Sequence, residues 1–329
     1  MHEKHLHLLC CPDTGQSLRL IAEKILPNGM VMSGKLVSPS GKVYSIVRGI
    51  PRFVDSEQYA ASFGYEWSRW PRVQFESENT GRPMQGHTTR MWEIITGLEE
   101  RDLAGKAIVE SGCGPGRFLD VVRHKGGTAV GIDISLAVEA ARRNFPDDPD
   151  VLIVQGDIYN PPFVPGSFDG GYTIGVLHHT PLPERGLAAL ACMVKRGGWV
   201  ASVVYPKQGF YAYPSVARFR KINNRLKPYI GYRLAVLYAY FSAYLLTPFF
   251  SFLLRGRFAR VARFLEEHWL PCLYIPDVRW RVLDVFDGIT PEIASTHTRR
   301  EVISWMEQAG CRDFMFPNWG DTAIVGIKD

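Results

Sequence analysis

The sequence predicts an α/β protein, a doubly wound and mostly parallel sheet with helices on both faces. A small β-rich module precedes it, and a helical insertion interrupts it near its end. Three observations carry this reading. Between Lys106 and Tyr205, apolar runs of strand length alternate with amphipathic stretches of helical period, the pattern of βαβ units that bury a parallel sheet. The first 54 residues hold only short apolar runs between Gly, Pro, Ser and Asn, which reads as short strands and turns. The alternation stops at Pro206, gives way to a basic and strongly apolar stretch, and resumes at Thr298.

Taken in order, residues 1–54 carry strand-like runs at 18–21, 29–32 and 43–47 and close on YSIVRGIPRFV at 44–54. His2, His5 and His7 read as a ragged terminus. Residues 55–104, with Phe63, Trp67, Trp70 and Trp92, read as helices and loops linking this module to the next. The core follows at 105–205. AIVES (107–111) is a buried strand, RFLDVVRHKG (117–126) an amphipathic helix, TAVGID (128–133) a second strand and SLAVEAARRNF (135–145) a second helix. VLIVQGD (151–157) and FDGGYTIGV (168–176) are the third and fourth strands. ERGLAALACMVKRGG (184–198) is a helix stopped by glycine, and WVASVVY (199–205) is the fifth strand. After the insertion at 206–297, the segment 298–329 supplies a helix at 298–310 with Gly310 as its stop, then strands at 313–317 and 322–328.

Composition narrows the function classes. The chain has 329 residues, 46% hydrophobic and 22% charged, a globular balance that excludes wholesale disorder and low-complexity or collagenous structure. The net charge of +5 is unevenly placed. Eleven Lys and Arg residues and no Asp or Glu fall in 206–265, leaving 27 basic against 33 acidic residues elsewhere, a net of −6. Cys10, Cys11, Cys113, Cys192, Cys272 and Cys311 are scattered and form neither a disulfide framework nor a paired zinc pattern. The beginning, MHEKHLHLLCCP, lacks the long apolar core of a signal peptide, so a reducing, cytoplasmic location is the expectation.

The strongest motif is Glu110-Ser-Gly112-Cys113-Gly114-Pro-Gly116, set between the first core strand and its helix. Glycine allows a tight turn and close approach of a ligand to the main chain, and the helix behind it offers free N–H groups. Asp133 ends the second strand, where an acid can bind ribose hydroxyls. A dinucleotide fingerprint would want its third glycine at the position of Arg117. The observed spacing, E-x-G-x-G-x-G, resembles motif I of the class I S-adenosylmethionine (SAM)-dependent methyltransferases, here of the bacterial type-11-like kind. QGDIYNPPF (155–163), FDGGYTIGVLHHTPLPERGLAAL (168–190) and VKRGGWVASVVY (194–205) resemble further stretches of that family. The resemblance covers 106–205 closely and 298–328 more loosely. It implies a Rossmann-like, seven-stranded methyltransferase sheet and SAM as cofactor. It also implies that Gly112, Gly114 and Gly116 shape the loop with Cys113 as its small residue, and that Glu110 faces the methionine amino group. Asp133 with Ile134 would then hold the ribose, and Asp157 with Ile158 the adenine.

Methyl transfer needs the acceptor atom positioned against the methyl carbon, and an oxygen acceptor also needs a base, most often histidine. His178 and His179 follow the fourth strand, where the family places substrate-facing residues. One of them is expected to face the pocket, against a competing role in capping or packing. His178 is preferred because His179 runs into Thr180-Pro181. His297, just before the last helix with Thr298 as its cap, is the other candidate. Asp284 and Asp287 lie in LDVFDGITPEIASTHT (283–298), which resembles a stretch of bacterial relatives and would let them contact substrate, but they are read in preference as solvated loop acids.

The first 54 residues resemble the small zinc-ribbon-like domain that activates some tRNA and protein methyltransferases. Cys11-Pro12 and Tyr44-Ser-Ile46…Gly49-Ile50-Pro51 match, but Thr14 and the stretch 37–40 stand where further cysteines would be. One matching cysteine cannot supply the four ligands of structural zinc, so no metal is expected. In the insertion, 234–254 is a 21-residue uncharged run between Arg233 and the arginines 255, 257, 260 and 263. A helix of that length reaches across a bilayer. A single crossing would divide one sheet between two sides of a membrane, and Pro248 is expected to split the run. The alternatives are a lid or dimer contact over the pocket, or an interfacial element on an anionic surface. The function expected is SAM-dependent O-methylation of a small-molecule, glycan or lipid-linked acceptor, with no nucleic-acid partner. A tRNA or other nucleic-acid methyltransferase and a non-catalytic SAM-binding scaffold are the alternatives.

Overall fold

The computed structural model describes residues 1–55, 58–98 and 102–329, so five residues of the 55–104 linker lie outside it. Four strands open the chain: β1 (Arg19–Ile25), β2 (Val31–Val37), β3 (Val43–Val47) and β4 (Ile50–Arg52), paired antiparallel in sequence order. Gly29, Gly41 and Gly49 turn between them with positive φ. The terminus is not ragged. The Met1 amino group donates to the carbonyls of Val31 (3.1 Å) and Gly49 (2.6 Å), and His2 and His5 are buried. Burial holds His5 neutral, with its pKa lowered to about 3. The linker supplies α1 (Ala61–Arg69) and α2 (His87–Thr96), the latter bounded by glycines in the left-handed region.

The core then alternates as expected: β5 (Ala107–Ser111), α3 (Arg117–His124), β6 (Thr128–Asp133), α4 (Ala137–Asn144), β7 (Val151–Gln155), β8 (Phe168–Ile174), α5 (Pro183–Met193) and β9 (Val194–Val203). Boundaries agree within two residues except at 194–198. The helix expected to reach residue 198 ends at Met193, because Val194 turns extended and pairs with Phe168. Gly197, at φ 77°, absorbs the register shift that follows. The insertion is wholly helical: α6 (Pro214–Ile230), α7 (Arg233–Phe241), α8 (Thr247–Leu253), α9 (Ala259–His268) and α10 (Val278–Ile289). Pro248 does not split its apolar run. A π turn at Ser242–Leu246 joins α7 to α8 without a break, and the Ala243 carbonyl, five residues before Pro248, accepts instead from Arg281 Nη1 (3.1 Å). The chain ends with α11 (Arg299–Gln308), β10 (Cys311–Met315) and β11 (Ile324–Lys328). Thr298 caps α11 through a reciprocal capping box with Glu301.

Among the described residues the eleven strands form one sheet in the order β1-β2-β3-β4-β7-β6-β5-β8-β9-β11-β10. The last seven are the methyltransferase sheet, all running in one direction except β11, which is antiparallel to both of its neighbours, β9 and β10. The N-terminal module continues that sheet. Arg52 pairs with Gln155, Phe53 N donates to Gln155 O (2.8 Å), and Arg48 and Arg52 both hold Glu139 of α4. Alternating residues separate the two faces. Val109, Val130, Leu152 and Val154 pack with α5 and α11, while Ile108, Ala129 and Ile153 pack with α3 and α4. A third apolar cluster, including Trp70, Val216, Tyr238, Phe250 and Phe286, fastens the inserted helices to α1. Each such large side chain, fully buried, contributes about 1.5–3 kcal/mol. Strand order reverses between β5 and β8, and ligands of open α/β sheets bind in the crevice at that point, beyond the carboxyl ends of the strands.

Candidate active site

A cavity of about 830 Å³ occupies that crevice. Its floor is the loop between β5 and α3. Gly112, Gly114 and Gly116 all have positive φ there, and a Cβ at Gly112 would overlap Val176. The loop is tied down by hydrogen bonds. Gly112 N and Cys113 N donate to Ile132 O (2.8 and 3.0 Å), and Gly114 N donates to Oδ2 of Asp133 (2.9 Å). The other Asp133 oxygen accepts from Ser135 N and Oγ (2.8 and 2.7 Å). Burial raises the pKa of Asp133 against these bonds, and pushes the Glu110 carboxyl well up despite the Tyr172 hydroxyl at 3.2 Å.

Glu110, Gly112, Cys113, Gly114, Asp133, Ile134 and Ile158 all line the cavity. The Cys113 thiol is pushed well above its usual value by burial, so it sits there as an inert small group. Two expected residues stand outside the wall. Gly116 packs against Phe145, and Asp157 caps its own turn by accepting from Tyr159 N (2.9 Å).

The opposite side of the cavity is polar and buried. His178 and His179 are both buried and both line it. His178 Nδ1 accepts from Tyr205 N–H (3.2 Å), which puts the proton of the neutral ring on Nε2, an atom with no partner. His179 is arranged the other way. Its Nδ1 donates to Ile293 O (2.9 Å), leaving the Nε2 lone pair 3.3 Å from the Tyr205 hydroxyl. Neutral His178 therefore carries its proton on a buried, unpartnered Nε2, and His179 is the ring that keeps its lone pair on Nε2. The sequence-based preference for His178 as base is reversed on this ground. Burial lowers the pKa of both rings, opposed at His179 by Asp287. His297 does not reach the cavity wall. Its Nε2 is 2.7 Å from Ser295 Oγ and its ring meets Trp305 edge-on.

Asp284 and Asp287 are not solvated loop acids. One helical turn apart on α10, both line the cavity. The Tyr205 hydroxyl donates to Asp287 Oδ2 (2.6 Å), and the Tyr205 ring lies between His178 and Tyr211, with centroids at 3.5 and 3.6 Å. Burial and the neighbouring Asp287 push Asp284 up to about 7. Glu66 of α1 is fully buried in the same wall with both oxygens unpartnered, and burial drives its pKa well up. Arg117 is the cation among these acids. Sequence reading missed Glu66, Arg117, Tyr205 and Tyr211. Tyr205 had a usable signal, because it follows a strand whose carboxyl end faces the crevice. Glu66, inside an aromatic linker, had none.

A family model described as a methyltransferase domain matches residues 109–202. The chain carries a class I SAM-dependent methyltransferase domain. Two relatives of this domain are the ubiquinone biosynthesis O-methyltransferase of Thiobacillus denitrificans and the 24-methylenesterol C-methyltransferase 2 of Arabidopsis thaliana. The first is 36% identical over 102 residues, covering 30% of this chain and 44% of that protein. The second is 29% identical over 158 residues, covering 46% and 44%. The chain spans between 32% and 58% of the length of the first three curated relatives it matches. A solved SAM-dependent methyltransferase from Thermotoga maritima shares 18% identity at a TM-score of 0.43, over 82% of this chain and 98% of that one. The methyl donor of the domain is SAM, and the cavity floor fits it. The loop of Gly112 and Gly114 leaves the main chain bare, and buried Glu110 offers a carboxyl to a cationic amino group.

Proposed function

We propose that the protein is a SAM-dependent methyltransferase that methylates a hydroxyl oxygen of a small or lipid-linked acceptor. The observation that carries this reading is the Tyr205 hydroxyl. It donates its one proton to Asp287 (2.6 Å), with its oxygen 3.3 Å from the basic nitrogen of His179, inside the cavity whose floor is the glycine loop. SAM, when bound, supplies a methyl group on a sulfonium that an oxygen nucleophile displaces in line. Gly112, Gly114 and Asp133 fix the floor, and Glu110 answers the amino group. Asp287 accepts the hydrogen bond of the acceptor hydroxyl and takes its proton as the oxygen attacks. Tyr205 holds that carboxylate in place, and by passing its own proton to His179 Nε2 while taking one from protonated Asp287 it can move the proton onward. Glu66, Asp284 and Asp287 line this end with carboxyls that can hydrogen-bond a hydroxylated acceptor.

The test is label transfer from methyl-labelled SAM into polar-metabolite, lipid and RNA extracts, alongside calorimetric titration of SAM. Expected are SAM binding and a labelled, nucleic-acid-free product whose formation is lost in Asp287→Asn. Label in RNA would assign a nucleic-acid acceptor instead. SAM binding with no transfer to any extract would make the protein a non-catalytic scaffold.

A further inference from the structure

The π turn makes 233–253 one continuous apolar helix, about 31 Å long at 1.5 Å per residue. Its two faces differ. Ala235, Tyr238, Ala239, Ser242, Ala243, Leu246 and Phe250 are buried. That face is bonded to the protein: the Tyr238 hydroxyl and Ser242 Oγ donate to Pro271 O (2.9 and 3.0 Å), and Arg281 Nη1 donates to Ala243 O (3.1 Å). The chain before and after the insertion pairs in one sheet, β9 with β11, so this helix does not cross a bilayer as a single span. The other face is bare, with Leu237 at 67% and Phe252 at 77% exposure and Phe241, Tyr244, Leu245 and Phe249 between them. The turn at 254–258 leads into α9, which adds exposed Phe258, Val261 and Phe264.

Charge identifies what covers this face. Arg255, Arg257, Arg260 and Arg263 are exposed and interleaved with those apolar residues, and no acidic residue occurs between 206 and 265. Among the described residues, Arg233, Arg255, Arg257 and Arg260 form no salt bridge. A second copy on this face would set guanidinium against guanidinium. An anionic bilayer satisfies both features: acyl chains take the aromatic and aliphatic side chains, and phosphate headgroups take the arginines. We infer that the exposed face of α7, α8 and α9 is a peripheral docking surface for an anionic lipid bilayer. The inference goes beyond methyl transfer and does not depend on it. It bears on the acceptor because the insertion that carries this face also supplies Tyr274, Trp280 and Leu283 to the cavity wall.

Flotation of the full chain tests it, with vesicles of phosphatidylcholine alone and of equal parts phosphatidylcholine and phosphatidylglycerol. Expected is flotation with the anionic vesicles only, weakened by salt, and weakened roughly fivefold for each arginine removed in Arg257→Ala/Arg260→Ala. Leu237→Glu/Phe252→Glu abolishes flotation while SAM affinity stays at the wild-type value, which shows that the variant is folded. Should that variant fail to fold, the arginine pair decides alone. Failure of the wild type to float, equal flotation with both vesicles, or flotation indifferent to the arginine pair overturns the inference. A dimer in solution that the glutamate variant dissolves, with no vesicle binding, assigns the face to a second copy and overturns it as well. None of these outcomes touches the methyl-transfer reading, which rests on SAM binding and label transfer.

Discussion

Tyr205 and Asp287 meet across the seam between the sheet and the inserted helices, the hydroxyl donating to Oδ2 over 2.6 Å. The bond joins a residue just past β9 to one on α10, 82 positions later, and so locks the acceptor wall to the cofactor floor. If Asp287 takes the acceptor proton, Asp287→Asn lowers kcat by about 10²–10⁴-fold. Its calorimetric SAM affinity stays within a few-fold of wild type, because Asp287 stands away from the glycine loop.

The tautomers separate the two histidines. His179 has its lone pair at Nε2, whereas His178 spends its own on Tyr205 N–H. His179→Gln is expected to cost more in kcat than His178→Gln, by about tenfold or more. Steady-state rates of the two variants on the acceptor found by label transfer decide the matter. Equal losses would remove the distinction drawn from the hydrogen bonds.

On the cofactor side, Asp133 holds the loop through Gly114 N and the start of the next turn through Ser135. Bonds from N–H groups to a carboxylate contribute about 1.5–3 kcal/mol each. Asp133→Ala is therefore expected to weaken SAM binding by at least tenfold in calorimetry. Asp157→Ala, whose carboxylate caps its own turn outside the cavity, is expected to have a markedly smaller effect.

Local signals carried most of the fold. β5 and β6 fall at the expected 107–111 and 128–133, because a buried parallel strand reads as a continuous apolar run closed by Gly or Lys. The cofactor floor was legible for the same reason, its residues lying next to one another in sequence. The acceptor wall was not, because it is assembled from α1, β9 and α10, and a cavity built at that distance leaves no spacing to read. Glu66 and Asp287 are 221 positions apart, yet in the folded chain the Asp287 carboxylate helps push the Glu66 pKa up. Val194 misled by propensity: it follows a good helical stretch, but its pairing with Phe168 settles it as strand.

Asp284 makes the stability of the protein depend on pH in a defined direction. Its pKa is raised from 3.8 to about 7 by burial and by Asp287. A carboxyl raised in the folded state favours folding while protonated. Its contribution is full below about 3.8 and is lost as pH rises through about 7. Melting temperatures of wild type and Asp284→Asn, followed from pH 4 to 8, are expected to diverge in favour of the variant as pH rises. Parallel curves would mean that Asp284 titrates as an ordinary surface acid.

Asn79 tests how the linker is fastened to the acceptor wall. Its amide donates to the carbonyls of Val73 (2.9 Å) and Phe75 (2.7 Å). Its oxygen accepts from Trp280 Nε1 (3.1 Å) and Arg279 Nη2 (3.0 Å). One buried side chain thus closes its own loop and pins it to α10, whose Trp280 lines the cavity. Removing the amide orphans the indole N–H and two carbonyls, each costing about 1–3 kcal/mol if water does not enter. Asn79→Ala is expected to destabilise the chain by about 2–4 kcal/mol in denaturant unfolding and to raise the acceptor KM. SAM affinity is expected to change little, since the loop of Gly112 and Gly114 is tied to β6 independently of Asn79. A loss of SAM affinity as large as the loss of acceptor binding would mean that linker and floor move as one unit.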